Sequence, residues 1–379
     1  MKPLFKYTGG KYKEYSHIKN LMPPTINNYY EPFVGGGGVM FRLKEDDRIR
    51  GKIFINDFSE SLTDFYKCIG KEEFKLELEK ISTAWNAVKE FSVVFACEHG
   101  NRFFNFILGN LDAETFVTDE MREEIVKFKL ELAYDTHGFD LSKKMEASLN
   151  DKAKRFSKKE ISDDETDVPF KNITTSICQA FYFIIRDMYN DWNNNGHKSD
   201  YSMYERSAQW LFIREYCFGS MFRFDSKGNF NIPYGGFSYN TKCFDCKIEK
   251  ILSDEAQFLS TDVTTTCYDF EKAIKMAEFE EDDFMFLDPP YDSTFSDYDG
   301  NSFTKEDHVR LANTLKDVKC KWMMAIGKTD FIAGLYKDFH VLEYDKTYMY
   351  QARGEYDNKH TTHLLITNYN TEDLFFHEL

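Results

Sequence analysis

The sequence predicts an α/β protein, with one sheet assembled from both ends of the chain and interrupted by a mostly helical domain. Short apolar runs with strand character cluster towards the two termini and close on Gly, Pro or a carboxylate, whereas the middle carries apolar residues at helical spacing. The 379 residues, 42% hydrophobic and 17% aromatic, can bury a sizeable core and fill two domains, which excludes disorder as the default.

In the amino-terminal block, residues 28–34 run into the glycines 35–38, and residues 52–55 end at Asn56 and Asp57. Lys44 to Asp46 are polar punctuation, and residues 58–69 follow the second strand as a helix. The carboxyl-terminal block holds strand-like runs at 283–287, ending at Asp288, then at 322–326, 339–344 and 363–367. Between the blocks, Phe74, Leu78, Ile81, Trp85 and Val88 alternate steps of four and three. The sets Met121, Ile125, Phe128, Leu132 and Ile177, Phe181, Ile184, Met188 do the same, which marks amphipathic helices. This organisation places the sheet domain at 1–66 with 246–379 and the inserted domain at 67–245.

The formal net charge is −16, from 48 basic and 64 acidic residues, so no global electrostatic drive towards nucleic acid or anionic membrane exists. A polyanion must be met by a local basic surface. Candidates are Lys2, Lys6, Lys11, Lys13 and Lys19, the Arg223 to Lys227 segment, and residues 143–159. The last, with seven basic and two acidic residues, reads either as solvated surface or as a phosphate-contacting arm; residues 160–167 turn acidic. Eight cysteines without a secretory leader point to a reducing, cytoplasmic setting, and no run of eighteen apolar residues suggests a membrane span.

Ligands of open α/β sheets bind beyond the carboxyl ends of the strands, so the glycines 35–38, Asp57 and the segment from Asp288 to Tyr291 should converge. The glycine loop follows Glu31-Pro32-Phe33-Val34. It is not G-x-G-x-x-G, because Met40 and Phe41 occupy the third-glycine places, and it lacks the Gly-Lys-Ser/Thr of a P-loop. Four glycines still permit close backbone approach to a ligand, and Asp57 can accept from both hydroxyls of a ribose. A tight turn with an N-capping Asp is the plainer alternative.

Asp288-Pro289-Pro290-Tyr291 is more specific. Two prolines at a strand end cannot continue a ladder and leave free carbonyls on a rigid, extended segment. This suits methylation of an exocyclic amine, a poor nucleophile because its lone pair is delocalised into the ring. Asp288 supplies a carboxylate acceptor, the prolyl backbone a carbonyl and Tyr291 an aromatic face. Such acceptors stabilise the positive charge that builds on nitrogen. A proline-rich turn after a buried strand is the alternative.

Lys6-Tyr7-Thr8-Gly9-Gly10-Lys11, then Glu31 through Gly37, then Asp57, then Asp288 through Tyr291 resemble, in order, the motifs of Dam-type (alpha-class, D12) DNA adenine-N6 methyltransferases. Residues 223–235 are similar to that family's segment after its recognition helices, and 363–369 to its last strand. Matching blocks span 4–66 and about 206–370. The resemblance implies a Rossmann-like, seven-stranded methyltransferase sheet, S-adenosylmethionine as methyl donor, double-stranded DNA as partner, a flipped-out adenine and a target-recognition domain in the middle. It places Tyr7, Gly10, Lys11, Glu31, Pro32, Phe33, Gly35, Gly37, Asp57, Asp269, Phe270 and Asp288 at the cofactor. Asp288, Pro289, Pro290 and Tyr291 fall in the catalytic motif. Arg223 falls at a base-reading position and Phe218 at that of an aromatic wedge, with Lys227, Asn231 and Tyr234 also at DNA. No metal is implied. A monomer or weak dimer in a bacterial cell, or encoded by a phage or virus, with a restriction endonuclease as a candidate partner, completes the expectation.

Three departures stand out. Residues from about 71 to 200 align by motif with no counterpart in the family, Gly219 stands where an asparagine is usual, and Ala325-Ile326-Gly327-Lys328 replaces a common Ser-Asn pair.

Cys243 and Cys246 have the spacing of half a zinc site, but no second Cys or His pair lies at finger or ribbon spacing, so they read as core or surface cysteines. Residues 191–198 read as a turn or as a DNA-reading loop. Residues 278–283 read as a solvated acidic turn, and His360 and His363 as strand residues rather than catalysts. Two other functions fit less of the sequence: methylation of RNA or a protein amide, and a non-catalytic DNA-binding partner of the same fold.

Overall fold

The structure is a computed structural model and describes residues 2–7, 9–111, 113–157, 167–194, 201–292, 297–298, 301–352 and 355–375. The chain divides into two compact units, Met1–Ile69 with Ser253–Leu379, and Gly70–Leu252.

The first unit is built on a seven-stranded sheet of β1 (Tyr29–Glu31), β2 (Ile53–Asn56), β3 (Val263–Thr266), β4 (Phe284–Leu287), β5 (Lys321–Gly327), β6 (His340–Ala352) and β7 (Glu355–Thr367). Their spatial order is β3-β2-β1-β4-β5-β7-β6. Strands β1 to β5 are parallel, and β7 lies antiparallel between β5 and β6. A separate short pair joins Asp297–Tyr298 to Asn301–Ser302. The central strands β1 and β4 are buried along their whole length, as a parallel sheet covered on both faces requires. From β1 the chain winds outward through β2 to β3, then returns to β4 and continues the other way. The ends of β1 and β4 therefore flank the switch point where a ligand crevice opens.

Strand boundaries differ from the sequence expectation for physical reasons. β1 stops at Glu31 because Pro32 has no N–H to continue a ladder. β3 has one apolar residue in Val263-Thr264-Thr265-Thr266 and forms a half-exposed sheet edge, so it carries no hydrophobic signal. β6 and β7 run far beyond 339–344 and 363–367 because they pair with each other continuously from His340 with Thr367 to Ala352 with Glu355. On one face of the sheet, Trp322, Met324, Ile326, Leu364 and Ile366 pack with Leu311, Leu315, Ile332 and Tyr336 from the helices Lys305–Lys316 and Asp330–Leu335 and the residue that follows.

The second unit is helical, with Glu72–Ile107, Asp119–Glu131, Leu141–Phe156, Val168–Asn194, Met203–Tyr216 and Phe244–Ile251 as its main elements. The stripe Phe74, Leu78, Ile81, Trp85, Val88 is buried, as is Ile177, Phe181, Ile184, Met188. At the centre the Trp85 ring lies 5.9, 5.3 and 4.7 Å from those of Phe181, Phe212 and Tyr216. The basic stretch is a helix through Phe156 with Leu141, Met145 and Leu149 buried; residues 158–166 lie outside the described residues. No helix among the described residues is long and apolar enough to cross a membrane.

The unit boundary falls at 252 rather than 245, because the helix Phe244–Ile251 belongs to the helical core. Phe244 packs edge-on against Phe212 at 5.3 Å, and Asp245 accepts hydrogen bonds from Ser82 and, at 2.8 Å, from Asn86. At the start of this helix Cys243 and Cys246 are joined in a disulfide, neither zinc ligands nor core thiols. Replacing Trp85 by Ala leaves a cavity at the meeting point of three aromatic rings, and we expect a loss of about 3–5 kcal/mol from the second unit, read from the shift of its urea denaturation midpoint.

Candidate active site

The loop after β1 is shaped by its glycines. Gly35 and Gly37 adopt φ of 47° and 65°, conformations that favour glycine. Their space is taken by the chain's own amino-terminal segment. A Cβ on Gly35 would lie 2.8 Å from Tyr7 Cε1, one on Gly36 2.7 Å from Tyr7 Cβ, and one on Gly38 2.7 Å from the backbone nitrogen of Tyr12. The sequence suggested close approach of a ligand; the observed close approach is that of residues 7–12. Gly10 is exposed and donates its N–H to the Tyr7 carbonyl at 3.4 Å, while Thr8 lies outside the described residues.

This seating delivers Lys11. The residue is 2% exposed, and its Nζ donates to Asp288 Oδ1 at 2.5 Å, to the Tyr291 hydroxyl at 2.7 Å and to the Gly9 carbonyl at 3.2 Å. Burial alone would lower the Lys11 pKa, but the charges of Asp288 and Glu14 and the hydrogen bond to Asp288 raise it above its ordinary value. Lys11 therefore stays protonated at neutral pH and gives up its charge only as pH rises through a value above that of an ordinary lysine. Lys11, expected at the cofactor and counted in the basic surface, is buried between Asp288 and Tyr291 of the Asp288 to Tyr291 motif. His363 supports the same corner from β7, its ring 5.4 Å from Tyr291 and 5.5 Å from Tyr344, whose hydroxyl donates to Glu14 Oε2 at 3.0 Å. The side chain of His360 lies outside the described residues.

The strand ends are stitched together by Asn56, which sequence reasoning did not single out. Its Nδ2 donates to the carbonyls of Pro32 at 3.1 Å and Tyr268 at 2.9 Å, and its Oδ1 accepts from the Tyr268 N–H at 2.9 Å and the Thr266 hydroxyl at 2.8 Å. Asp57 follows, with Oδ2 accepting the Gly35 N–H and Oδ1 the Ser59 N–H, both at 3.0 Å. The acid at the end of β2 thus touches the glycine loop, as the strand-end argument required. Glu31 is buried and accepts from the Tyr29 hydroxyl at 3.0 Å. Burial pushes its carboxyl well above the usual range against that hydrogen bond, and the charges of Asp288 and Asp57 push the same way.

Beyond β3, Asp269 caps the helix Phe270–Met276 by accepting the Glu271 N–H at 3.0 Å. Arg310 grips the same carboxylate with a two-pronged hydrogen bond at 3.1 and 2.9 Å and also reaches Glu271 at 3.0 Å and Asp307 at 2.8 Å. Its guanidinium lies over the Phe270 ring at 4.6 Å. The rings of Phe33, Phe270 and Phe303 form an aromatic patch with centroids 5.5 to 5.9 Å apart. Arg310 lies outside every motif, on the helix Lys305–Lys316 beside Glu306 and Asp307, which is why no pattern singled it out.

In the second unit, Phe218 is 55% exposed, and Arg223 and Lys227 are also exposed. Arg223 Nε donates to Asn231 Oδ1 at 3.2 Å, which joins two of the residues expected at DNA. Tyr234 is different. It is buried, its hydroxyl donates to Asn240 Oδ1 at 2.6 Å, and its ring lies 5.5 Å from that of Tyr182, so it supports the segment and does not face solvent. Residues 191–194 finish the helix Val168–Asn194, with Trp192 buried beneath Arg206 at 3.8 Å; residues 195–198 lie outside the described residues.

These features agree with comparisons to known proteins. The family model of D12 class N6 adenine-specific DNA methyltransferases matches residues 7–99 and 124–350, so most of the stretch from about 71 to 200, expected to lack a counterpart, has one after all, and residues 100–123 lie between the matched blocks. The chain is 26% identical over 372 residues to the type II methyltransferase M.CviBI of Paramecium bursaria Chlorella virus NC1A, covering 97% of this chain and 100% of that protein. It is 26% identical over 383 residues to the type II methyltransferase M.MjaIII of Methanocaldococcus jannaschii, covering 97% and 99%. A shorter match, 29% identical over 133 residues, reaches the DNA adenine methylase of Vibrio cholerae and covers 34% of this chain and 45% of that one. With the glycine loop, Asp57 and the Asp288 to Tyr291 motif at the ends of one methyltransferase-type sheet, the chain belongs to the D12 class of N6 adenine-specific DNA methyltransferases.

Proposed function

We propose that the first unit binds S-adenosylmethionine and transfers its methyl group to N6 of an adenine swung out of duplex DNA, and that the second unit reads the target site. The observation that carries this reading is the Lys11 ammonium bridging Asp288 and Tyr291 just beyond β4. The donor set suits the cofactor. Asp57 presents a carboxylate to ribose hydroxyls, Phe33, Phe270 and Phe303 offer an apolar seat for an adenine ring, and Arg310 fixes Asp269 beside it. Tyr7, Gly10, Glu31, Pro32, Gly35 and Gly37 shape the wall between these groups and the catalytic motif.

When bound, S-adenosylmethionine supplies an electrophilic methyl on a sulfonium centre. The chain's own residues prepare the nucleophile. Asp288 and the Pro289 carbonyl accept the two N–H bonds of the target N6, Pro290 keeps the segment rigid and Tyr291 stacks on the extruded base. Lys11 neutralises the burial penalty of Asp288, keeps it an ionised acceptor and locks the Tyr291 hydroxyl, so both groups are set before the base arrives. Holding both reactants in near-attack geometry then accounts for much of the acceleration.

For DNA we assign Phe218 as the wedge and Arg223, Lys227 and Asn231 as reading and phosphate-contacting residues, with Tyr234 behind them. The basic residues that would meet phosphates are Lys2, Lys6, Lys13 and Lys19 on the first unit and, separately, Arg223, Lys227 and Lys143 on the second; Lys144 is engaged with Asp187 at 2.7 Å. The type II methyltransferases among the relatives favour a companion restriction endonuclease and action in the cytoplasm of a bacterial or virus-infected cell.

Asp288→Ala should keep cofactor binding by calorimetry while N6-methyladenine formation on plasmid DNA disappears; undiminished methylation would overturn the assignment. Lys11→Met should lower kcat by roughly ten- to a hundredfold, with cofactor affinity changed little, in a tritiated-methyl transfer assay. DNA affinity, measured by fluorescence anisotropy, should fall steeply and log-linearly with salt despite the pI near 5.1.

A further inference from the structure

Residues 223–231 fold back on themselves. The Asn231 N–H donates to the Arg223 carbonyl at 3.3 Å and the Asp225 N–H to the Asn229 carbonyl at 2.8 Å, while Asp225 Oδ1 accepts the N–H groups of Lys227 at 2.8 Å and Asn229 at 3.0 Å. The backbone groups of 229 and 231 thus point into the hairpin, as does the Gly228 N–H, which donates to the Asp225 carbonyl at 3.0 Å, whereas both groups of Phe230 and the carbonyls of Gly228 and Ile232 point the other way. Side chains of the helix Val168–Asn194 meet this outer edge. Asn190 Nδ2 donates to the Phe230 carbonyl at 3.0 Å, and its Oδ1 accepts the Phe230 N–H at 2.8 Å. On the same helix face Tyr182 donates to the Ile232 carbonyl at 2.8 Å, and Asn193 donates to the Gly228 carbonyl. Helix positions 182, 190 and 193 thereby stand in for a neighbouring strand, with the amide of Asn190 reproducing both hydrogen bonds of a strand pair.

We propose that Asn190 is a positioning residue for target reading: it fixes the register of the hairpin so that Arg223 and Asn231 meet base edges as one unit. The hydrogen bond from Arg223 Nε to Asn231 Oδ1 orients the guanidinium plane and leaves its two terminal nitrogens to face a base. Without the Asn190 bracket, Phe230 can shift along the helix, and a one-residue slip turns Asn231 to the opposite face. This inference rests on the reading of the second unit as the part that recognises DNA.

The test compares the wild-type enzyme with Asn190→Ala, and with Tyr182→Phe as a milder break in the same ladder. Base-modification sequencing first defines the wild-type target, and methylation is then measured on duplexes carrying that target or single-base variants of it. In Asn190→Ala the ratio of kcat/KM between target and variant sites should fall roughly tenfold or more, through a higher KM on the target, with kcat and cofactor affinity within about twofold. Tyr182→Phe should move the ratio the same way by less, which keeps the test decisive if Asn190→Ala misfolds. An unchanged ratio in both variants, or a fall in kcat with discrimination intact, overturns the proposal. If the wild-type protein methylates no adenine in duplex DNA, the functional reading has failed. The ladder is then judged by hydrogen exchange alone, where unchanged protection of residues 228–232 in Asn190→Ala overturns it.

Discussion

The first unit of this protein depends on the seating of residues 7–12 against the glycine loop. Four glycines after β1 leave out the side chains that would strike Tyr7, Met40 and the backbone of Tyr12, and the space so made brings Lys11 to Asp288 across 277 residues of sequence. A buried ammonium and a nearly buried carboxylate each lose hydration, and such pairs hold together only when geometry and extra hydrogen bonds offset that loss. Here the Tyr291 hydroxyl and the Gly9 carbonyl complete the ammonium's shell. The motif is thereby set in one geometry by a residue from the opposite end of the chain.

Sheet topology explains why so many unrelated segments can contribute. Parallel strands all present their carboxyl ends on one side, and the reversal of order between β1 and β4 leaves a crevice there. Asn56 fastens β2 to the Pro32 and Tyr268 backbones with three hydrogen bonds and to the Thr266 hydroxyl with a fourth, which makes the rim of that crevice a single hydrogen-bonded surface. Arg310 performs a similar service for Asp269 beyond β3. The helical unit solves a different problem by a related route, since Asn190, Tyr182 and Asn193 lend a helix the hydrogen-bonding edge of a strand.

Much of this was legible in the residues. The helical stripes through Trp85 and Phe181, the strands at β1, β2, β4 and β5, and the convergence of the glycine loop with Asp57 follow from periodicity and from where strands end. β3 was not legible, because an edge strand of threonines has no apolar pattern. Nor was the pairing of Cys243 with Cys246, since spacing alone does not distinguish a metal ligand from a disulfide. Tyr234 shows the limit most plainly: a tyrosine in a segment expected at DNA turned out to be core, because its neighbours in space are Tyr182 and Asn240.

The sequence by itself determined the fold class, the order of the motifs and the chemistry they permit, because those depend on consecutive residues: two prolines after a strand, four glycines before a helix, an acid at a strand end. Tertiary structure alone decided the partners. It gave Lys11 to Asp288 and Tyr291, Arg310 to Asp269, and Asn190 to the hairpin of residues 223–231. The physical reason is the same in each case. A charged or amide side chain can satisfy its hydrogen bonds in many ways, and only burial against one particular neighbour, distant in sequence, selects among them.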